Sequence, residues 1–459
     1  MKALVNFLRT SAIFFVGSIL SKIIIFIMLP IYTKYLLTDE YGYFDVSNTY
    51  ITIITWVVFL ELSPAIVKFL LKNENDEFRN EVISSCALIF IVSFVIYFFV
   101  GVILHSVMNI LYLWYIFFYG LTNVVRGEFE TYTRGYGDNV SYAVGGLINT
   151  TITTVLNLVM IVYFQIGVVS LYIAPCIGNI LQIVFLNGRH NFVRYLIRLP
   201  KNFKIAKDIV MFGVPTTLNL VMYWFLIGYG VTEVSRCLDL SQNGVYAVGT
   251  KFGSVVNLVT MCFLFAWQEI SYRRKKKNDT LFYTCACEGY LLFLSLGVFF
   301  LLPLCRFLFP YLVDDSYSEA ISIIPTAVIV AVVGAYENFL ANVFYAEIKA
   351  KYVVFPLVIG ALLNIALMPF MIELFGLQGV NYTIFTAFIV CIVLMHIMAR
   401  IYLKIKCNYS LLFFVISELV LFCVIFLLSS NLMMLIVTTT MFVFNSCILF
   451  FRYKKYLIE

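Results

Sequence analysis

The sequence predicts an all-α polytopic membrane protein with about fourteen transmembrane helices. Of its 459 residues, 62% are hydrophobic and only 12% are charged, and the mean hydropathy is +0.97. Apolar segments recur along the whole chain, and about 20 apolar residues at a rise of 1.5 Å each cross a bilayer core. The net charge of +6 does not indicate a nucleic-acid partner, because the basic residues form short clusters between apolar segments, where they set membrane orientation.

The first apolar segment carries one charged residue in its middle, Lys22. A charge near the bilayer centre costs about 2.5 to 3.5 kcal/mol on insertion scales, so it normally faces protein or a water-filled cavity. At 100° per residue, Lys22 shares a polar stripe with Ser11 and Ser18. We therefore expect Lys22 to face a functional cavity.

The remaining segments are found by splitting the sequence at polar or turn-rich breaks. Each is long enough to span, and their boundaries are uncertain by a few residues. The segments lie at 10–33, 42–66, 82–104, 110–127, 140–164, 168–187, 208–232, 244–268, 281–304, 319–345, 353–374, 379–399, 410–429 and 432–451.

Charge asymmetry supports this number of spans. With a cytoplasmic N-terminus, all but five of the 31 lysines and arginines lie on the inside. Lys34, Arg236 and Arg306 lie outside, and Lys22 and Lys251 lie within spans. One missed span would invert every later loop and scatter this bias. Both termini are therefore predicted to be cytoplasmic, in a multi-pass protein of the cytoplasmic membrane.

The chain divides into two predicted six-helix lobes. Residues 1–187 form the first, a basic cytoplasmic linker spans 188–207, the second covers 208–400, and two additional helices with a cytoplasmic tail occupy 401–459. An internal repeat supports the duplication: Gly42 recurs as Gly244 and Asn157 as Asn364, at offsets of 202 and 207. Lobes with an even number of spans point the same way, related by an axis along the membrane normal.

Several short motifs of the sequence resemble those of the Wzx polysaccharide flippases, which share a superfamily with the multidrug MATE exporters and the lipid II flippase. The resemblance runs through the chain in order, although each motif is short. It is carried by Leu29-Pro30-Ile31-Tyr32-Thr33-Lys34-Tyr35-Leu36, Asp39-Glu40-Tyr41-Gly42-Tyr43-Phe44, Phe212-Gly213-Val214-Pro215, Val245-Tyr246-Ala247-Val248 and Asn364 through Gly379.

The resemblance implies a V-shaped, MATE-like pair of lobes plus two C-terminal helices. It also implies a function: transfer of an undecaprenyl-diphosphate-linked oligosaccharide, such as an O-antigen unit of lipopolysaccharide, across the bacterial inner membrane. The partners would be this lipid-linked substrate, membrane lipids, H+ or Na+, and other membrane proteins of polysaccharide assembly. A MATE-like exporter of drugs or metabolites stays open as the alternative, and a cavity with acidic walls would favour it.

The polar residues inside the spans are the candidate site residues. We expect Lys22, Lys251, Asp45 and Asn257 to contact substrate, and Glu337 and Asp45 to couple transport to an ion. In the second span, Asp45, Asn48, Thr49, Thr52 and Ser63 form one polar stripe, with Glu61 on the opposite side. Such stripes can equally bond neighbouring helices, and Lys251 can snorkel to the interface.

Other functions are not supported by the sequence. Glu61, Arg126 and Glu128 lie near predicted span ends, where contact with the membrane interface is the simpler interpretation. The three histidines are dispersed, so we predict no metal ligand, and no cofactor motif is present. A glycan polymerase or ligase would need a sizeable external loop, and the longest outside connection is Cys305 to Ser318. The protein is therefore predicted not to be an enzyme.

Overall fold

The computed structural model describes residues 24, 26–72, 75–198, 200–201, 203–273, 280–347, 351–405 and 408–457. Within these residues the regular structure is helical. The helices are α1 Leu29–Tyr35, α2 Thr38–Phe59, α3 Ser63–Lys72, α4 Asp76–Val107, α5 Leu113–Gly135, α6 Asn139–Leu158, α7 Ser170–His190, α8 Val193–Leu196, α9 Phe203–Ile227, α10 Tyr229–Cys237, α11 Leu240–Arg273, α12 Thr280–Leu312, α13 Ala320–Ala346, α14 Lys351–Phe375, α15 Leu377–Met398, α16 Tyr409–Leu428 and α17 Asn431–Leu457.

The prediction of an all-α polytopic membrane protein is confirmed. Ten helical segments of the described chain are long and apolar enough to cross a membrane, or eleven if the bent pair Thr38–Phe59 and Ser63–Leu70 is one span. Two further predicted segments correspond to α5 and α11, which carry more polar residues. Every predicted segment after the first therefore overlaps one helix or two consecutive helices. Most of the first segment, including Lys22, lies outside the described residues.

The helices expose apolar side chains on faces that suit contact with lipid. Along α4, for example, Ile91, Val95 and Phe99 are about half exposed, at 54%, 47% and 58%. Water would penalise such a contiguous apolar face, whereas the hydrocarbon core of a bilayer solvates it. This pattern fits a multi-pass membrane protein.

The chain forms two compact units, Met1–Trp224 and Phe225–Glu459. The boundary lies inside α9, because the first part of this helix packs on the second span. Trp224 Nε1 donates to the carbonyl of Thr49 at 3.2 Å, and a Cβ added to Gly213 would lie 2.5 Å from Leu62. The predicted lobe limits of 1–187 and 208–400 stay a prediction.

The helices of each unit pack in the same order. In the first unit, α6 packs on α7, α7 on α5, and α5 on α2 and α3; in the second, α14 packs on α15, α15 on α13, and α13 on α11. The last two helices, α16 and α17, pack on α12. The matching contact order supports the predicted duplication.

Repeat-related residues also make related contacts. Asn157 Nδ2 donates to the hydroxyl of Tyr32 at 3.1 Å, and Asn364 Nδ2 donates to the carbonyl of Phe225 at 2.8 Å. Both asparagines are buried, at 2% and 0% exposed. In each unit, an asparagine of the fifth span thus donates a hydrogen bond to the segment at the start of that unit, α1 in the first unit and α9 in the second. Superposition of the two halves stays a prediction.

Candidate functional site

The second span is broken at Leu60, between α2 and α3. Leu60 has φ 60° and ψ 161°, a conformation that costs a residue with a side chain of order 1 to 3 kcal/mol. The two helices it joins bend by 47°. Pro64 follows at the start of α3 and lacks the N–H that would continue the helix. The sequence-based assumption of one continuous helix over 42–66 is therefore wrong.

Hydrogen bonds from α9 stabilise this break. The N–H of Glu61 donates to Oγ1 of Thr217 at 2.8 Å, and Oγ1 of Thr216 donates to the carbonyl of Glu61 at 2.9 Å. Both backbone groups of Glu61 thus have partners outside its own helix, which is how membrane proteins tolerate irregular backbone away from lipid. Thr217 itself is 5% exposed, so the bonds lie in a protected environment.

The break opens into a cavity of about 410 Å³ within the first unit. This volume is in the range of small-molecule sites. The walls come from α2, α3, α5 and the break itself. The lining residues are Asn48, Ile51, Thr52, Thr55, Trp56, Phe59, Leu60, Glu61, Leu62, Ser63, Ile66, Tyr119, Gly120, Asn123, Val124, Arg126, Gly127, Glu128 and Thr131.

Glu61 lines this cavity together with Asn48, Thr52 and Ser63. Its predicted position on the opposite side of the second span is therefore wrong. The reason is geometric: a face assigned at 100° per residue loses its meaning where the helix breaks at Leu60.

Three charged residues lie in the wall. Glu61, Arg126 and Glu128 were expected at the membrane interface, but the structure brings all three to the cavity. The helix α5 continues to Gly135, beyond the predicted span end at 127, so Arg126 and Glu128 lie within a packed helix and are only partly exposed.

Arg126 is held by a chain of polar contacts that ends at a buried glutamine. Its Nη1 lies 2.6 Å from Oε1 of Glu130, and the same oxygen accepts from Nε2 of Gln182 on α7 at 2.7 Å. Gln182 is 0% exposed. Charge-assisted bonds of this kind fix the guanidinium direction, so the positive charge in the wall is already balanced by Glu130.

The amides in the wall keep donors available. Tyr119 donates to Oδ1 of Asn48 at 3.2 Å, and Nδ2 of Asn179 donates to Oδ1 of Asn123 at 3.1 Å. In both contacts the side-chain oxygen of the cavity asparagine is the acceptor. The side-chain N–H groups of Asn48 and Asn123 are therefore not used in these bonds. The carboxylate of Glu128 is in hydrogen-bond contact with the hydroxyl of Tyr132.

None of the sequence-predicted site residues that the structure describes lines this cavity. Lys22 is outside the described residues. Asp45 is partly exposed on α2 and is not part of the cavity lining. In the second unit, Lys251 is partly exposed and Asn257 is exposed on α11, and within the described chain Lys251 forms no ion pair.

Glu337 lies in the core of the second unit. It is 1% exposed on α13, and its Oε1 accepts no hydrogen bond from the described residues. Its predicted neighbours instead bond one another, since Nδ2 of Asn342 donates to Oδ1 of Asn338 at 3.0 Å. An acid so placed is costly, which keeps the coupling hypothesis open.

Sequence comparison does not assign the chain to a family. No family model matches it, and no curated protein matches it in sequence.

Solved structures do resemble it. The lipid II flippase MurJ in an inward closed conformation has a TM-score of 0.68 at 15% identity, covering 97% of this chain and 99% of that one. An inward-facing multidrug resistance MATE family transporter of the MOP superfamily has a TM-score of 0.66 at 12% identity, covering 83% and 94%. A MATE in complex with MaD3S has a TM-score of 0.59 at 14% identity, covering 86% and 95%. The chain therefore has the fold that the lipid II flippase MurJ and these MATE transporters share.

Proposed function

We propose that the protein is a flippase that moves undecaprenyl-diphosphate-linked oligosaccharide units across the bacterial cytoplasmic membrane by alternating access. The observation that carries this proposal is the end-to-end match to a flippase of a lipid-linked substrate, which covers 97% of this chain. The MATE structures cover 83% and 86%. The polar cavity at the broken second span supports a transport role, because discontinuous helices commonly form transporter binding sites.

Lysines are proposed to bind the diphosphate. Lys22 and Lys251 would supply positive charge, and Asp45 and Asn257 would act as polar contacts to the substrate. At an effective dielectric near 20, a unit-charge pair at 4 Å contributes about 4 kcal/mol, which suffices to hold a head group while the polyprenyl tail stays in lipid. Lys251 suits this role because it forms no ion pair within the described chain.

Ion coupling is proposed for Glu337 and Asp45, with H+ or Na+ as the ion. Glu337 carries the stronger argument, since a carboxyl that is 1% exposed and lacks a described partner at Oε1 changes its free energy strongly on binding a cation. Other membrane proteins of polysaccharide assembly are proposed as partners that consume the exported unit.

A MATE-like exporter of organic cations is the second candidate function. One specific observation favours it: Glu61 and Glu128 line the cavity of the first unit, and its Arg126 is paired with Glu130. Such walls have a negative balance, which attracts cations.

Deletion of the gene distinguishes the two functions. Lipids extracted from the deletion strain and analysed by mass spectrometry should contain an accumulated undecaprenyl-diphosphate-linked oligosaccharide, and the wild-type gene should remove it. The variant Glu77→Gln, changed at an exposed residue that does not line the cavity, is the matched control and should also remove it. An unchanged lipid pool, together with raised sensitivity to cationic drugs, would favour the exporter.

A further inference from the structure

The cavity of the first unit combines three kinds of group. Trp56 and Tyr119 contribute aromatic rings, Asn48 and Asn123 contribute amide donors, and Glu61 contributes a carboxylate acceptor. Aromatic rings stack on apolar ring faces, while amides and carboxylates bond hydroxyl groups. These groups surround about 410 Å³, a volume suited to a small, hydroxyl-rich ring system.

The same cavity is unsuited to a diphosphate. The one arginine among its lining residues is engaged by Glu130 at 2.6 Å, while Glu61 adds a carboxylate that pairs with no cation among the described residues. A diphosphate would face the like charge of Glu61 with no free cation in the described wall, which disfavours its binding.

Glu61 is available to a ligand. Its backbone N–H and carbonyl are bonded to Thr217 and Thr216, which fixes the position of the residue at the break. Among the described residues, its side-chain carboxylate accepts no hydrogen bond and pairs with no cation. A fixed acceptor in a wall of this kind is a recognition element for hydroxyl groups.

We propose that this cavity binds the saccharide of the lipid-linked substrate, with Trp56 stacking on a sugar ring and Glu61 accepting from its hydroxyls. This inference rests on the proposed function and assigns the saccharide and the diphosphate to different groups. Glu61 and Trp56 then determine which saccharide is accepted, whereas the lysines hold the linker that every such substrate shares.

The test uses the saccharide of the cell itself. The lipid-linked pool of the deletion strain is treated with mild acid, which cleaves the diphosphate linkage and releases the oligosaccharide. Binding of this oligosaccharide and of inorganic pyrophosphate to the full-length protein in nanodiscs is measured by calorimetry. We expect the oligosaccharide to bind and Glu61→Gln and Trp56→Ala each to weaken its affinity at least tenfold.

Control variants separate recognition from folding. Trp56→Phe keeps an aromatic ring and should retain most of the affinity, and Glu77→Gln should bind as the wild type does. Should Trp56→Ala fail to fold, Glu61→Gln gives the same information with its shape unchanged. Pyrophosphate binding should not respond to either cavity variant.

Three results would overturn the inference. The first is oligosaccharide affinity that is unchanged in Glu61→Gln and Trp56→Ala, and the second is pyrophosphate binding that these variants abolish. The third is a lipid-linked pool whose oligosaccharide does not bind; this overturns the saccharide site alone. If the deletion strain has no lipid-linked pool, both the inference and the proposed function are wrong.

Discussion

The N–H of Glu61 donates a hydrogen bond to the hydroxyl of Thr217, 156 positions further along the chain, at 2.8 Å. This bond lies where the second span breaks, and it orients the residue that brings a carboxylate to the cavity. Because Thr217 belongs to the part of α9 within the first unit, the geometry of the cavity depends on a helix distant in sequence.

Replacing Thr217 tests the importance of this bond. Thr217→Val keeps the side-chain shape and leaves the partly buried N–H of Glu61 without its acceptor, so we expect a loss of about 1 kcal/mol in stability. Thermal unfolding of the detergent-solubilised protein measures the loss. Thr439→Val is the matched control, because Thr439 also bonds a carbonyl of its own helix but is exposed, and it should change stability little.

The polar end of α6 gives a pH-dependent prediction. Burial alone would raise the pKa of Asp138, but hydrogen bonds from Ser141 and His190 outweigh burial and lower the pKa below its ordinary value. A carboxyl with a depressed folded pKa stabilises the protein above the unfolded pKa of about 3.9 and loses this effect as the pH falls through the folded value.

Asp138→Asn should therefore destabilise the protein at neutral pH, and the difference should fall away only below about pH 4. Unfolding is compared with His190 retained, because its hydrogen bond is one of the contacts that lower the pKa of Asp138. A difference in stability between wild type and Asp138→Asn that already disappears near pH 6 would contradict a lowered pKa of Asp138.

The predicted topology is tested by labelling. Single cysteines at Lys275 and Asp314, placed in a cysteine-free background, should react oppositely with an impermeant thiol reagent. We expect position 314 to be labelled in intact cells and position 275 only after permeabilisation, because the basic residues concentrate on the inside. Labelling of position 275 from outside would show that the orientation is wrong.

Ion coupling predicts a specific effect of Glu337→Gln. The variant keeps the shape and removes the charge, so export should lose its dependence on external pH or Na+ and fall in rate. Export of the surface glycan in the deletion strain is measured at matched protein abundance, with Glu319→Gln as a control because Glu319 is exposed at the start of α13. An unchanged rate across pH and Na+ would assign Glu337 a packing role.

The helices could be predicted from sequence because they follow from a local property. A long apolar segment must become a helix in a bilayer, since its backbone groups find no other partners there. The segment 319–345, for example, corresponds to α13, Ala320–Ala346. The helices in the structure differ from the predicted segments mainly in where they begin and end.

The cavity could not be predicted in the same way, because it depends on long-range contacts. At the break, Glu61 is hydrogen-bonded to the hydroxyls of Thr216 and Thr217, and no local pattern around residue 60 reveals these contacts. Pro64 was the available signal, since a helix usually ends before a proline. The spacing of Arg126 and Glu130 was a second signal, because residues four apart on a helix can form an ion pair, and such a pair indicates that α5 continues beyond residue 127.

The most direct test of the central claim is a flipping assay with purified protein. Proteoliposomes are loaded with the lipid-linked oligosaccharide from the deletion strain, and the fraction that an added glycosidase can reach is measured over time. We expect the wild-type protein to expose the substrate of the inner leaflet, and Glu61→Gln to do so at least tenfold more slowly. Exposure no faster than in protein-free liposomes, with the wild-type protein folded and incorporated, would contradict the proposal that this protein is a flippase.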